Sequence, residues 1–303
     1  MFEKLFAESG LSLDRLRAFL AVGAAGSIVK ATRGDPVKQS QYSRQIKELE
    51  DFFRIKLVER HEKGIRLTAN GKELARISRF FLLGLSNFQR GCLTEEQTFR
   101  IGASATFIDR FLLPVLSNAR SIPGDARYIV ETVGDEELER RLHDLTLDFG
   151  MTTRPTLSRP LQLKEVGKWR LRLWVPSNLY KTEKSAGLAF KERQLPLAVA
   201  EKELAPCEVE EFTEQNSRLV CESFIQAATA LKGRQFAAVL PDYLNPDANS
   251  KQYLRVPMKG IDSCVFCFRL AWNPRLFRLN PHAARGKDFL RDALAAQMHA
   301  TTA

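Results

Sequence analysis

Residues 26–50 read GSIVKATRGDPVKQSQYSRQIKELE, and residues 56–71 read KLVERHEKGIRLTANG. In the first segment, Gly26 ends one helix and Ser27 caps the next, before a turn at Gly34-Asp35-Pro36 and another helical pattern. The second segment predicts a small β-hairpin, with strands at 56–60 and 65–67. This order is typical of a winged helix-turn-helix, which places its second helix in the DNA major groove.

Apolar spacing sets the expected helix bounds. A first helix is predicted over 14–25, a short second helix over 28–33, and a third from Lys38 or Gln39 to Phe52. Apolar residues recur every three or four positions in the first and third helices, which gives each one buried face. In the third helix these residues are Tyr42, Ile46, Leu49 and Phe53.

The same fragments closely resemble the LysR-type transcriptional regulators. That family has a Gly-Ser start, a Gln at the head of the recognition helix, Ser-Arg one turn later, Leu-Glu at its end and a Leu-Thr-x-x-Gly exit. The matching residues here are Gly26-Ser27, Gln39, Ser43-Arg44, Leu49-Glu50 and Leu67-Thr68 with Gly71. The resemblance implies a DNA-binding regulator that is not an enzyme. The partners that it implies are a double-stranded DNA operator, a small-molecule effector, a second or further copies of the chain in a homodimer or homotetramer, and RNA polymerase.

The head of the recognition helix departs from the family pattern. The family usually has Leu where this chain has Asp35, Ser where it has Lys38, and Pro where it has Ser40. An Asp-Pro pair holds a turn by its own hydrogen bonding and fixed φ, so the fold is not in doubt. The base preference is the property that these changes affect.

Polar side chains on and around the third helix are the candidate DNA contacts. Gln39, Ser40 and Gln41 are placed near base edges, because a Gln side chain bonds adenine with two hydrogen bonds. Ser43, Arg44 and Lys47 are assigned to the phosphate backbone. The alternative is a polar, solvated helix face. The full candidate set is Ser27, Lys38, Gln39, Ser40, Gln41, Ser43, Arg44, Lys47, Arg60, Lys63, Arg66 and Thr68.

The charge distribution agrees with a DNA-binding head on a separate body. Of the net charge of +10, residues 1–92 hold 17 Lys and Arg against 10 Asp and Glu, an excess of seven. The remaining residues hold 29 against 26, an excess of three. A basic module beside a nearly neutral one is the pattern that nucleic-acid binding requires, although a basic solvated face gives it too.

Length and composition limit the number of domains and the class of protein that the chain can form. The chain of 303 residues is long enough for two or three domains, and 44% hydrophobic content is ordinary for a globular protein. No run of about 18 apolar residues predicts a membrane span, and residues 1–6 lack the pattern of a signal peptide. A cytoplasmic location is therefore expected, with no cofactor and no membrane partner.

The expected fold is α+β with several domains. The winged helix-turn-helix occupies 1–68, and a long linker and dimerisation helix occupies 69–92. That helix carries an apolar stripe at Leu74, Ile77, Phe81, Leu85 and Phe88. In the resembled family this helix pairs with its counterpart in a second chain. The alternative is that the stripe packs against its own domain. Strands and helices alternate over 93–303, which predicts an α/β domain. The order of its motifs resembles the effector-binding domain of the same family, and this resemblance implies two lobes with a cleft, like those of periplasmic binding proteins. Lobe 1 is expected over about 93–162 and 271–303, and lobe 2 over about 163–270.

Candidate effector contacts follow the strand ends of this domain. Ligands bind beyond the carboxyl ends of strands in open α/β sheets, near helix N-termini. The hydroxyls and backbone N–H groups there suit a carboxylate or another anion, and ordinary helix capping explains them equally well. The candidates are Ser104, Ala105, Thr106, Thr132, Thr152, Thr153, Ser223 and Phe224.

One departure keeps a second hypothesis open. The family usually has a Gly-x-Gly pair before a strand that ends in Leu-Pro, and Arg234 and Phe236 stand in those places here. The cleft is then narrower, or occluded, or accepts an unusual ligand. In the second hypothesis the α/β domain has lost ligand binding and serves oligomerisation or protein contacts.

Metal and catalytic sites are not indicated. Cys264 and Cys267 form a lone CxxC without the two further ligands that a zinc site needs. The five cysteines are interpreted as buried thiols, with a redox pair of Cys207 and Cys221 as the minor alternative. The four histidines are scattered, so no catalytic constellation is readable.

Overall fold

The computed structural model describes residues 10–61, 64–93, 97–117, 126–201, 203, 217–246, 251–280 and 282–302. The chain divides into two compact units, Met1–Glu95 and Glu96–Ala303. In the described ranges no helix combines the length and the apolar character that a membrane crossing needs.

The first unit is a winged helix-turn-helix followed by a long helix, as the sequence predicts. Its elements are α1 (Leu13–Ala25), α2 (Ile28–Ala31), α3 (Pro36–Phe53), β1 (Val58–His61), β2 (Gly64–Leu67) and α4 (Ala69–Leu93). The two strands are antiparallel, with Val58 opposite Leu67. The core that joins them is formed by Leu16, Phe19, Val22, Ile46, Leu49, Leu57 and Ala75.

Local signals explain the ends of these elements. Gly26 adopts the left-handed conformation with φ of 64° and donates its N–H to the Val22 carbonyl, which closes α1. Its own carbonyl accepts the N–H of Ile65 at 2.8 Å, so the turn before α2 is tied to β2. Gly71 lies against the Leu57 carbonyl oxygen, and a Cβ at this position would clash with it. The Leu-Thr-x-x-Gly exit is thus a requirement of close packing.

The second unit is a mixed α/β domain. Its strands are β3 (Thr98–Ala103), β4 (Arg127–Thr132), β5 (Phe149–Thr152), β6 (Gln162–Pro176), β7 (Leu197–Ala200), β8 (Ser217–Cys221), β9 (Ala237–Pro241), β10 (Tyr253–Val256) and β11 (Val265–Trp272). Its helices are α5 (Ala105–Phe107), a π-helical turn (Ile108–Leu112), α6 (Leu113–Ser117), α7 (Asp135–His143), α8 (Glu183–Lys191), α9 (Phe224–Lys232), a 3-10 turn (Asp242–Leu244), α10 (Lys259–Asp262), α11 (Leu276–Leu279) and α12 (His282–Thr302).

Two parallel groups of strands are joined by antiparallel crossings. The strand order is β4-β3-β5-β11-β6-β9-β7-β8, with β10 paired to β6. The pairs β4-β3 and β3-β5 are parallel, as are β9-β7 and β7-β8. Strand β6 pairs with β11 along its first part and with β9 along its second. The predicted two-lobed α/β architecture is confirmed at the level of the fold.

Three strands differ from what apolar runs in the sequence predict. The run from Leu171 to Val175 predicts a strand that opens at Leu171, whereas β6 begins at Gln162. Residues 162–170 are mostly charged or exposed, so their pairing with β11 is set by the neighbouring strand rather than by an apolar run. Strands β8 and β10 lie outside the strands that the sequence predicts, because each is short and only partly buried.

Candidate nucleic-acid interface and effector cleft

The start of α3 is fixed by Asp35 and Pro36. The Asp35 carboxylate accepts the backbone N–H groups of Val37 at 3.0 Å and Lys38 at 3.2 Å, and Pro36 takes the first helical position. The prediction that α3 starts at Lys38 or Gln39 is therefore wrong by at least two residues. Asp35 is the N-cap rather than only a turn residue, and the hydrogen bond from the Lys38 N–H is the main cause that lowers its pKa.

The inner side of α3 is anchored by Glu50. This buried carboxylate accepts the N–H groups of Leu57 at 2.8 Å and Val58 at 3.2 Å, and the ammonium of Lys56 at 2.9 Å. Burial alone would raise the pKa of Glu50, but these hydrogen bonds outweigh it and the pKa is lowered. Glu50 therefore fixes the orientation of α3 against the start of β1.

The outer side of α3 carries most of the predicted DNA contacts. Lys38, Ser40, Gln41, Ser43, Arg44 and Lys47 are exposed, and Gln39 is half-buried. Two of the basic groups have partners on the same helix end or face: Lys38 lies 3.4 Å from Asp35, and Arg44 lies 2.9 Å from Glu48. Val37, which the sequence analysis did not select, is 78% exposed in the first turn.

Of the remaining predicted contacts, some side chains are exposed and others make hydrogen bonds within the described part of the chain. Arg60 and Arg66 are exposed on β1 and β2. The Ser27 hydroxyl accepts the Lys30 N–H at 3.5 Å, and the Thr68 hydroxyl accepts the Gly71 N–H at 3.0 Å while donating to the Lys56 carbonyl at 2.7 Å. Both therefore have structural roles in the single chain. Lys63 lies outside the described residues.

Helix α4 has a long apolar face that is exposed in the described part of the single chain. Ile77, Phe81, Leu85 and Phe88 are between 43% and 72% exposed. Leu74, at the start of the predicted stripe, instead packs against the core of the first unit. The apolar stripe is therefore in contact with that core only at Leu74 and is exposed from Ile77, about one turn later.

A cavity of about 150 Å³ lies in the second unit at the strand ends. Four of the eight predicted effector contacts line it: Ser104, Thr152, Thr153 and Phe224. Thr106 is buried beside it, Ser223 is buried as the N-cap of α9, Ala105 opens α5, and Thr132 is exposed. The other lining residues are Phe107, Val133, Gly134, Asp135, Met151, Trp169, Glu203, Tyr243 and Phe268.

Glu203 joins the two groups of strands at this cavity. Its Oε1 accepts the backbone N–H of Thr106 at 3.0 Å, and its Oε2 accepts the Thr106 hydroxyl and the backbone N–H of Phe224 at 2.7 Å. Thr106 belongs to the helix after β3, and Phe224 begins α9. The donors that the sequence predicts for an anionic ligand are thus bound to a carboxylate of the chain itself.

Asp135 places a second carboxylate on the wall. Its Oδ1 accepts the Thr152 hydroxyl at 2.6 Å, and its Oδ2 lies 3.9 Å from the Arg154 guanidinium. Arg154 makes a closer ion pair with Glu139 at 3.1 Å. Arg110 is also engaged, since its Nε–H donates to the Tyr243 carbonyl at 3.2 Å. Neither arginine lines the cavity.

Aromatic rings form the rest of the wall. The Trp169 indole lies 5.5 Å from the Phe268 ring in a stacked arrangement and 5.8 Å from Tyr243 at a steep angle. Phe107 contacts Phe268 edge-on at 4.7 Å. Burial raises the pKa of Tyr243 well above its ordinary value of 10, and the charges of Glu203 and Asp242 add to the rise. Tyr243 is therefore a neutral phenol.

Arg234 and Phe236 do not line this cavity. Arg234 follows α9 in the left-handed conformation with φ of 60°, where glycine is favoured, and Phe236 packs against the core. The departure from the Gly-x-Gly pattern is thus accommodated at the end of a helix. It does not narrow the cavity that the structure describes.

The cysteines give no metal site in the described part of the chain. No group of three or more His, Cys, Asp or Glu side chains there is placed to hold an ion. Cys221, Cys264 and Cys267 are free thiols, and burial raises the pKa of Cys221. Cys207 lies outside the described residues, so its pairing with Cys221 stays a prediction.

Sequence reasoning missed Glu203, Asp135, Trp169, Tyr243 and Phe268 as lining residues. Asp135 and Tyr243 each lie a few residues after the end of a strand. This position is the sequence signal that could have identified them as lining residues. Glu203 gave no local signal, because its partner Thr106 is 97 positions away.

Two family profiles match the chain in succession. Residues 13–72 match the family described as "Bacterial regulatory helix-turn-helix protein, lysR family". Residues 94–295 match the family described as "LysR substrate binding domain". Together they cover both compact units.

Individual proteins are similar at lower identity. The HTH-type transcriptional regulator HdfR of Yersinia pestis (strain Pestoides F) is 26% identical over 166 residues, which span 54% of this chain and only 57% of that protein. The structure is similar to full-length LysG from Corynebacterium glutamicum with bound effector Arg, with a TM-score of 0.64, 16% identity and coverage of 96% and 99% of the two chains. It is also similar to full-length CbnR complexed with its target DNA, with a TM-score of 0.53, 17% identity and coverage of 91% and 99%. At these identities the structural likeness shows the fold.

Proposed function

The chain belongs to the LysR family of bacterial regulatory helix-turn-helix proteins, and on that premise we propose that it is a cytoplasmic transcriptional regulator that binds a double-stranded DNA operator through α3 and the β1-β2 wing. The observation that carries the proposal is the outer face of α3. This face presents amide, hydroxyl and basic side chains on a helix whose inner face is fixed by Glu50. Such a helix fits the major groove, and its polar groups match base edges and phosphates.

Selection from a pool of random duplexes with the full chain tests this proposal. We expect one enriched motif, bound on the order of a thousandfold more tightly than an unrelated duplex at the same salt concentration. The affinity for both duplexes should fall with salt, because basic side chains displace counterions from phosphates. Equal affinity for the enriched and the unrelated duplex would reject sequence-specific binding.

The apolar face of α4 supports a homo-oligomer. Ile77, Phe81, Leu85 and Phe88 lie along one helix and expose large apolar surfaces to solvent in the single chain. Exposed apolar surface of this extent is favourably buried against a partner. The proposed partner is the same face of a second copy, in a dimer or in a tetramer built from dimers.

We assign control of DNA binding to a small molecule in the cavity of the second unit. The support is its position at strand ends, its polar and aromatic lining and its place between two parallel groups of strands. The similar LysG structure holds an effector. A thermal-shift panel of small amines, carboxylates and neutral molecules tests this assignment, with operator binding measured for every molecule that stabilises the protein.

A second candidate function follows from Glu203. Because its carboxylate already bonds Thr106 and Phe224, the domain has an internal substitute for a ligand. The α/β domain would then act as a ligand-free scaffold for oligomerisation or protein contacts. No stabilisation by any molecule of the panel, together with intact operator binding, is the result that favours this function.

A further inference from the structure

The charged groups on the cavity wall are all acidic among the described lining residues. Asp135 and Glu203 contribute carboxylates, and none of the described lining residues is a lysine or an arginine. Arg154 lies near Asp135 and offsets part of its charge. Glu203 has no ion-pair partner within the described part of the chain, although it is only half exposed at most. Three hydrogen bonds from Thr106 and Phe224 stabilise this charge, but no cation among the described residues neutralises it.

An anionic ligand is disfavoured at this point. The hydrogen-bond donors that suit a carboxylate, the N–H groups of Thr106 and Phe224 and the Thr106 hydroxyl, are bound to Glu203. A free anion would have to displace a group that is tethered to the same chain and therefore present at a high effective concentration. It would also face the charge of Asp135.

The aromatic wall favours a cation. The rings of Phe107, Trp169, Phe224, Tyr243 and Phe268 surround the same space as the two carboxylates. An ammonium or guanidinium group is attracted to the face of such rings, and more strongly where water is excluded. The neutral Tyr243 phenol keeps this wall free of a further charge.

The buried indole of Trp169 adds a polar requirement. Trp169 is 2% exposed, and its indole N–H has no hydrogen-bond partner among the described residues. A ligand that carries a hydrogen-bond acceptor besides its cationic group can satisfy this donor. The volume of about 150 Å³ limits the enclosed part of the ligand to roughly the size of benzene.

We propose that the cavity binds a small organic cation, an amine or a guanidine on a short apolar body, with Glu203 as the principal counter-ion and Asp135 as the second. This assignment rests on the proposed function, in which the cavity is the effector site. It replaces the carboxylate or other anion that the sequence predicts with a ligand of opposite charge. Glu203 then has two roles: it holds the helix after β3 to α9, and it recognises the ligand.

A series of probes of similar size and different charge tests the proposal on the full chain. Butylguanidine is the cation, butylurea its neutral counterpart and pentanoate the anion, and benzylamine, benzyl alcohol and benzoate form a second series. Binding is measured by isothermal titration calorimetry without DNA. We expect the cation of at least one series to bind about ten- to a hundredfold more tightly than its neutral and anionic counterparts, because a charge-assisted hydrogen bond is lost in those.

Two matched variants locate the effect. Glu203→Gln keeps the shape of the side chain and should remove most of the preference for the cation, while Glu201→Gln makes the same change at an exposed position two residues earlier and should leave it unchanged. Asp135→Asn is an independent variant for the case that circular dichroism shows Glu203→Gln to be unfolded. It should weaken binding of the cationic probe and leave binding of the neutral probe unchanged.

The outcomes separate this proposal from the proposed function. Tighter binding of the anion or the neutral probe, no binding of either cation, or an unchanged cation preference in both Glu203→Gln and Asp135→Asn overturns the cation assignment, while operator binding stands. If the chain binds the cation but selects no DNA motif, the proposed regulator function is overturned and the proposed class of ligand stands.

Discussion

Arg44 donates its Nε–H to the Glu48 carboxylate at 2.9 Å, one turn further along the outer face of α3. The same carboxylate accepts the Nε–H of Arg15 at 2.6 Å. The hydrogen bonds from Arg15 and then Arg44 are the main causes that lower the pKa of Glu48. A basic side chain assigned to DNA phosphates is thus paired within the protein before DNA is present.

Arg44→Ala and Lys47→Ala should act on phosphate binding. We expect each change to weaken specific and unrelated duplexes about equally and to lower the salt slope by about one. Fluorescence anisotropy over a range of salt concentrations measures both quantities. Lys47 has no ion-pair partner among the described residues, so the Lys47 change should have the larger effect of the two. A loss confined to the operator would assign these residues to base edges instead.

Gln39→Ala should change sequence preference. The loss of a two-bond contact to adenine is expected to cost about 1–3 kcal/mol and to relax the preference at one base pair. Repeated motif selection with the variant measures the preference. Gln45→Ala, on the same helix but outside the predicted contact set, serves as the control. Equal weakening for all duplexes by Gln39→Ala would contradict a base contact.

Ile77→Lys combined with Leu85→Lys should produce monomers. Both side chains are exposed on the apolar face of α4, and a buried ammonium in a symmetric interface is strongly unfavourable. Sedimentation velocity should give the mass of one chain, and operator affinity should fall because two half-sites are no longer bound together. Asn70→Lys adds one lysine at an exposed position of α4 outside the apolar face and should leave the mass unchanged. A wild-type mass in the double variant would exclude this face as the interface.

Glu50→Gln should reduce the stability of the first unit and its dependence on pH. Because the pKa of Glu50 is lowered in the folded chain, its charge stabilises the fold above the ordinary value of 4.5, and this contribution is lost as pH falls through the lower folded value. Urea unfolding should show a difference between wild type and variant of about 1–3 kcal/mol at about pH 7 and a smaller one at about pH 3. A constant difference at both pH values would mean that the charge of Glu50 is not the cause.

Thr106→Val should loosen the contact that Glu203 makes between the helix after β3 and α9. The change removes one hydroxyl donor from a charged acceptor and keeps the shape of a buried side chain, so about 1.5–3 kcal/mol of stability should be lost in the second unit. Operator affinity should be unchanged while the response to effector is lost. Thr156→Val, at an exposed position outside the candidate effector contacts, is the control for both measurements. Wild-type stability and response in Thr106→Val would show that this hydroxyl is not needed.

The winged helix-turn-helix could be predicted from sequence because its signals are local. Gly26, Ser27 and the apolar residues of α1 and α3 are close together in the chain, and each has one strong conformational preference. The predicted start of α3 is too late, because Asp35-Pro36 has the pattern of a turn as well as that of a helix start. The same pair is also a capping aspartate followed by a proline at the first helical position.

The cavity could be predicted only in outline. Ser104 and Thr152, which the sequence places at strand ends, both line the cavity, since parallel strands bring their carboxyl ends to one edge. The charge of the site could not be predicted, because it depends on Glu203, whose contacts are formed only when distant segments pack. Periodicity does not show contacts of this kind.

The continuous course of β6 limits how the two parallel groups of strands can move. A loop between them would act as a hinge, but a strand of 15 residues, paired with β11 and then with β9, resists bending because its ladder hydrogen bonds would break. The motion that preserves those bonds is torsion about the strand axis, with the register shift between Phe268 and Arg269 of β11 as the compliant point. Trp169 of β6 and Phe268 of β11 lie at these paired segments and also line the cavity. A molecule bound in the cavity would therefore contact the strands about which such a torsion would occur.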